Sequence, residues 1–478
     1  MRTMATESFT SSSAASSPRG SAFSRLAALQ GRLVARAQAP VDPASLVAFR
    51  IGFGLLLFAA IVRFWARGWI YEYFIQPRLF FPYWGFELVR PWPGWGMYAH
   101  FGVMAVAALG IASGLWYRLS ASVFALTFTW AHLVDQAHYL NHYYLVTLLS
   151  LLLVVLPLGR VSSLDARRNP GAPAAPFPTW ALWALRAQVA LVYFFGGVAK
   201  LKSDWLLSAQ PLKLWLSASP DFPVLGALLD QDVVAYAFSW AGAVFDLCIV
   251  GFLCLARTRL LAFTVLVLFH GATGLLFNLG LFPWLMTLSA LIFFPPSWPR
   301  RVAQLVGWPS TEPQPEVHSS AARPRLGAVS LGVGVFLALQ VVLPFRYLAY
   351  PGNVLWTEQG FRYSWNVMLM EKSGSAELTV RDAVTQRTWR VQPRDELTRY
   401  QAKALAASPE MLLFYAHHLA ARFRAQGVMK PQVFVEAYAS LNGRPSALLV
   451  DPRVDLASEH ESLAPKTWLM PAPTEPPP

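Results

Sequence analysis

The sequence predicts a polytopic α-helical membrane protein of about nine spans, followed by a C-terminal α+β extramembrane domain. Two observations of composition and one of pattern predict it. The 478 residues are 55% hydrophobic and 14% charged, whereas soluble domains carry about 25% charge. Mean hydropathy is +0.39. The apolar residues collect into runs of near-bilayer length up to residue 345, and beyond it they alternate with polar ones.

Residues 1–41 read as a disordered cytosolic N-terminal tail, because TESFTSSSAASSPRGSAF is rich in Ser and Ala and has no apolar core. The missing apolar core also excludes a secretory signal. Residues 42–345 form the helical bundle. Its expected spans lie near 44–62, 98–116, 119–136, 143–159, 180–200, 234–255, 259–278, 281–295 and 326–345. Arginines set the orientation. Arg2, Arg19, Arg25, Arg32, Arg36, Arg118, Arg160, Arg167, Arg168, Arg257, Arg259, Arg300, Arg301, Arg323 and Arg325 fall on one side, which the positive-inside rule assigns to the cytosol. The net charge of +13 is therefore a topology signal, and nucleic acid is not an expected partner. Cys248 and Cys254 share one apolar run and point to different helix faces, so no disulfide framework is expected.

Residues 346–470 read as an extracytoplasmic α+β domain. ELTVRDAVTQRTWRV is a hairpin pattern. Leu397–Arg424 is an amphipathic helix broken near Ser408-Pro409. VFVEAYASLNGRPSALLV is a second hairpin turning at Asn442-Gly443. Residues 471–478, PAPTEPPP, read as a disordered tail.

Polar residues gather at the outer ends of the spans. The loop DQAHYLNHYY offers Asp135, His138, Asn141 and His142. Lys200 closes the fifth span, with Lys202 just after it. His270 lies within the seventh span, and Asn278 lies near its end. Ionisable groups at membrane depth are costly and mark functional sites. The bland readings are a pair of snorkelling lysines, a hydrogen-bonded structural histidine and a solvated Asp135. A lysine against an apolar pocket loses its proton more readily and can serve as a base. His138 and His142 have the spacing of a helical metal pair, but no second such pair exists, so no metal is expected. There is no GxSxG elbow and no glycine-rich phosphate loop.

The stretch VYFFGGVAKLKSDWL resembles the segment of vitamin K-dependent gamma-carboxylases that carries their catalytic-base lysine, at Lys200 here. DPASLVAFR, GLWYRLS, LVDQAHYLNHYYL, FHGATGLLFNLGLF, GFRYSWNVM and LNGRPSALLVDPRVDL resemble further family segments in the same order. Together they cover Asp42 to Trp468. The chain resembles the bacterial-type members, described as horizontally transferred transmembrane domain proteins.

The resemblance implies an integral-membrane enzyme that uses vitamin K hydroquinone, dioxygen and carbon dioxide. Its partner would be a protein or peptide containing glutamate, converted to gamma-carboxyglutamate with epoxidation of the quinol. It implies Lys200 as base, Asn141 and His142 contacting the hydroquinone, and His270 supporting the same site. It also implies a multi-pass protein of the bacterial inner membrane, with the C-terminal domain outside the cytoplasm. Lys202 stands where animal enzymes have Asp, and Tyr347 where a histidine is expected. A quinol-oxidising homologue without glutamate carboxylation, a non-catalytic membrane protein binding quinone or lipid, and a transporter are the competing readings. A transporter would favour inverted repeats, and the sequence has no internal repeat.

Overall fold

A bundle of apolar helices carries, on one of its ends, a small domain built on a four-stranded sheet. The computed structural model describes residues 18–170, 177–219, 222–223, 226–277, 279–307 and 327–477. Arg323, Arg325 and Asn278 lie outside the described residues.

The first element is α1 (Pro18–Gln38), inside the stretch that reads as a disordered tail. Leu26, Leu29, Leu33 and Ala37 recur there at helical spacing among Ala, Gln and Arg, all favourable helix formers. The low-complexity run that suggested disorder, residues 1–17, lies outside the described residues.

The bundle follows: α2 (Ala44–Ala66), α3 (Trp95–Ser113), α4 (Tyr117–Leu133), α5 (Asn141–Val155), α6 (Thr179–Ala199), α7 (Asp232–Cys254), α8 (Arg259–Phe277), α9 (Phe282–Ala290) and α10 (Ala328–Val342). Every expected span contains a helix, but the count of nine is not supported. Among the described residues, six helices are long and apolar enough to cross a membrane: α2, α3, α6, α7, α8 and α10 with its 3-10 extension to Ala349. α5 and α9 are shorter apolar helices. A 15-residue helix such as α5 spans only about 22 Å, less than the roughly 30 Å of a bilayer core. An odd number of spans therefore does not assign the C-terminal domain to a side.

Leu46, Phe53, Ile111, Phe124, Leu149, Leu185 and Met286 bind the bundle into one apolar core. At one end, which we call the far end, Arg50 donates to the carbonyls of Leu158 and Ser162, both at 2.7 Å. Arg186, the one charge in α6, donates to Ile292 O at 2.8 Å and Phe294 O at 3.1 Å. These arginines tie carbonyls freed where helices end.

The C-terminal domain sits on the opposite end. Its sheet contains β1 (Lys372–Asp382), β2 (Thr388–Val391), β3 (Pro431–Leu441) and β4 (Ala447–Leu448), in the order β2-β1-β3-β4 and antiparallel throughout. Both expected hairpin patterns appear in it. Asn442 and Gly443 take φ of 53° and 83°, the left-handed conformation that Asn and Gly adopt most readily in a turn. The expected helix break falls at Ser408, between α11 (Arg399–Ala407) and α12 (Pro409–Ala425), where a proline cannot continue a helix. Within the C-terminal stretch, Glu475 O accepts from Arg444 at 2.8 Å, and Pro477 is buried.

Candidate functional site

The site begins with a glycine. A Cβ on Gly197 would stand 3.0 Å from the backbone nitrogen of Leu247 and 2.7 Å from its side chain. Only glycine lets α6 and α7 approach this closely. That approach places Asp246, in the middle of α7, beside the end of α6.

Lys200 caps α6 and turns its amine inward. Its Nζ lies 2.7 Å from Asp246 Oδ2 and 3.4 Å from Gly196 O, with the Trp205 ring centroid at 5.3 Å. Lys200 is 6% exposed, so it does not snorkel. Trp205 fixes the loop by donating from Nε1 to Ser239 O at 2.8 Å.

Lys200, Asp246, Tyr193 and His270 line one cavity of about 70 Å³. Its other walls are apolar, among them Phe269, Phe277, Phe282, Met286 and Met368. His270 Nε2 lies 2.7 Å from the Tyr193 hydroxyl, and its Nδ1 is buried without a hydrogen-bond partner. Buried polar atoms are rarely left unpaired, so this nitrogen is available to an occupant of the cavity. Asp246 also borders a lateral groove of about 550 Å³ between α6, α7 and α10, lined by Ala187, Ala190, Phe194, Leu247, Ala338 and Val341.

Lys202 is also turned inward. It donates to Ala199 O at 3.2 Å and Asn366 Oδ1 at 3.0 Å, and stands 5.5 Å from the ring centroid of Tyr347. Burial, and then the neighbouring Lys200 charge, lower it to about 8 against the pull of Asp204. Asp204 takes a two-pronged bond from Arg444, 2.7 Å on each oxygen, and a third from Asn442 at 2.9 Å. Burial pushes the Asp204 carboxyl up, but these bonds outweigh it and hold the group below its ordinary value. The second hairpin turn thereby clamps the loop that carries both lysines.

A strap, residues 358–368, runs over the cavity. Glu358, Tyr363, Trp365 and Met368 all adopt positive φ, between 55° and 63°. Such backbone persists only where its surroundings over-determine it. Here Trp365 is fully buried beside Tyr144, Tyr363 N donates to the Tyr139 hydroxyl at 2.8 Å, and Glu358 pairs with Lys372 at 2.9 Å. Gly360, at φ 77°, lies against the backbone of Tyr347, where a Cβ would come within 2.7 Å of the Tyr347 Cα.

Of the expected site residues, the structure brings Lys200 and His270 to one cavity. Asn141 and His142 begin α5 and do not line it. Phe282 stands between the two imidazoles, its ring centroid 6.2 Å from His142 and 5.9 Å from His270. His138 lies in a separate 3-10 turn, stacked between Tyr73 at 4.3 Å and Tyr400 at 4.7 Å. It therefore does not share a helix face with His142. Asp135 is buried, not solvated, and accepts from Gln401 of the C-terminal domain at 2.7 Å. Asp246 and Tyr193 escaped the sequence reading. An aspartate inside AGAVFDLCIV was a visible signal, by the same rule that singled out His270.

Residues 38–298 match the HTTM domain family, and residues 327–475 match the family described as vitamin K-dependent gamma-carboxylase, lumenal domain. No solved structure matches the chain. The first match covers α2 to α9 with the lysine–aspartate pair, and the second covers α10, the strap and the domain clamped over the cavity. The chain belongs to the vitamin K-dependent gamma-carboxylase family.

Proposed function

We propose that the protein is an integral-membrane carboxylase that converts protein glutamate to gamma-carboxyglutamate at the cavity between α6, α7 and α8, with Lys200 as base. The observation that carries this is the inward-facing Lys200 amine, paired with Asp246 on the wall of a mostly apolar cavity that His270, with its unpartnered Nδ1, also lines. This donor set suits a dihydroxy aromatic ring: the amine takes a proton at one oxygen and the imidazole holds the other. When bound, reduced vitamin K would supply, with dioxygen, the strong base that removes a glutamate γ-proton, and the resulting glutamyl carbanion would take up carbon dioxide. The apolar walls exclude water from these steps.

The cavity is smaller than the roughly 300 Å³ at which ligand pockets usually begin. Binding therefore requires Phe282, Met286 and Met368 to turn aside, and methionine does so readily. Turning Phe282 would also bring Asn141 and His142 into reach of the ligand. The lateral groove at Asp246 would give a lipid-tailed quinol access from the bilayer. A glutamate-bearing protein would reach the cavity past the strap. With the C-terminal domain taken to lie outside the cytoplasm, as the arginine-rich segments favour, the protein would belong to a bacterial inner membrane.

The test is incubation of the purified protein with vitamin K hydroquinone, labelled bicarbonate and a glutamate-containing peptide. Epoxide together with labelled peptide is the expected result. Lys202 and Tyr347 depart from the animal pattern beside the strap, and they favour a second reading: quinol oxidation with a different acceptor. Epoxide without labelled peptide would select that reading. Neither product, across several peptides, would leave a non-catalytic quinone- or lipid-binding protein.

A further inference from the structure

We infer that Asp246 is the proton acceptor behind Lys200, so that the site removes a substrate proton as a neutral lysine–aspartate pair and not as a lone amine. This rests on the reading of Lys200 as base. An ammonium cannot act as a base, and the Lys200 nitrogen stands 2.7 Å from a carboxylate oxygen. The two side chains are 7% and 12% exposed. The other groups around the amine are the Gly196 carbonyl and the Trp205 ring, neither of which can take its proton. One proton is thus shared by two groups that are largely shielded from bulk water.

The proton moves in two steps. It first passes from Lys200 Nζ to Asp246 Oδ2, giving a neutral amine and a neutral carboxylic acid. The substrate hydroxyl proton then moves to Nζ, restoring the ammonium beside the new oxyanion. No atom is lost, and the site carries no net charge at any stage. That neutrality matters in a low-dielectric cavity, where an uncompensated charge is costly. Asp246 acts through Lys200 and is a positioning residue. The other titratable groups near the pair are Tyr193 on α6, His270 on α8, and Lys202 and Asp204 on the loop, the last already paired with Arg444.

The test uses the full chain in lipid nanodiscs with Asp246→Asn, Asp246→Ser and Asp246→Glu. Lys200 is modified with a membrane-soluble succinimidyl ester across a pH series, and the modified peptide is quantified by mass spectrometry. Loss of the carboxylate should move the onset of labelling down by about one pH unit or more, a tenfold gain at fixed pH, and Asp246→Glu should restore it. Anaerobic addition of vitamin K hydroquinone should also raise a protonated-carboxyl band in difference infrared spectra, absent from folded Asp246→Asn or Asp246→Ser. An unchanged labelling onset in both neutral variants, or no such band in the wild type, would overturn the inference even if carboxylation occurs. Absence of epoxide from a wild-type protein whose labelling behaves as expected would count instead against the proposed function.

Discussion

The two ends of the bundle both bury cations, and they do so differently. At the far end, Arg50 is fully buried and donates to backbone carbonyls of two separate segments, at Ala112 and at Leu158–Ser162. At the domain-facing end, Lys200 is nearly as buried but pairs with a carboxylate on the wall of a cavity. Arginine keeps its charge at any physiological pH, and its fork of donors locks fixed acceptors. Lysine paired with an acid can exchange a proton. The first arrangement holds helices together, and the second is equipped for proton chemistry.

Arg50→Met puts that contrast to its hardest test. It would take the Arg50 donor away from the buried carbonyls of Leu158 and Ala112, at about 1–3 kcal/mol each. Thermal melting in detergent should show a loss on the order of 5 kcal/mol, larger than for any change at the lysine site. Lys200→Met should cost about 3 kcal/mol, because it leaves the Asp246 charge buried and unpaired. The double variant Lys200→Met/Asp246→Asn should recover most of that stability and none of the activity. If the double variant is no more stable than Lys200→Met, the pair is not what the single change disturbs.

Gly197→Leu tests the helix approach that brings the pair together. The new side chain would meet Leu247, and forcing α6 from α7 should cost about 1–3 kcal/mol. It should also weaken activity, since Asp246 would be drawn away from Lys200. A variant with wild-type stability and activity would show that the close approach is dispensable.

Lys202 gives the smallest effect, and its sign is informative. Its folded value lies near 8, below the ordinary 10.5, so below pH 8 folding confines a charge that burial disfavours. Between pH 8 and 10.5 the unfolded chain holds the proton and the folded protein does not, so this contribution makes stability rise with pH. Lys202→Met should therefore be at least as stable as wild type at about pH 7, with the difference shrinking above pH 8. Denaturation followed at several pH values would show this, and a difference that grows with pH would contradict it.

The helices were legible because apolar runs announce themselves. The hairpins and the break at Ser408 were legible because Asn-Gly and Pro are local signals. The span count was not, because α4, α5 and α9 are 17 residues or fewer, and hydropathy alone does not say whether such short helices cross the bilayer. The site was legible in part. Lys200 and His270 stood out as ionisable residues in or beside apolar runs. Their meeting with Asp246 depends on Gly197 and on packing between segments 46 residues apart in sequence, which no local pattern encodes. Asn141 and His142 were expected to contact the same ligand as Lys200; they do not line its cavity, and the Phe282 ring centroid lies 6.2 Å from that of His142 and 5.9 Å from that of His270. The strap was hidden for another reason: four non-glycine residues at positive φ carry no sequence signature.

FFGGVAKLKSDW holds two inward-facing lysines, and only one has a carboxylate partner on the cavity wall. Epoxide formation from vitamin K hydroquinone, measured side by side for Lys200→Met and Lys202→Met, separates their roles most directly. The account predicts a loss of about 100-fold or more for Lys200→Met and a rate within about threefold of wild type for Lys202→Met. A folded Lys200→Met protein that forms epoxide at the wild-type rate would contradict it.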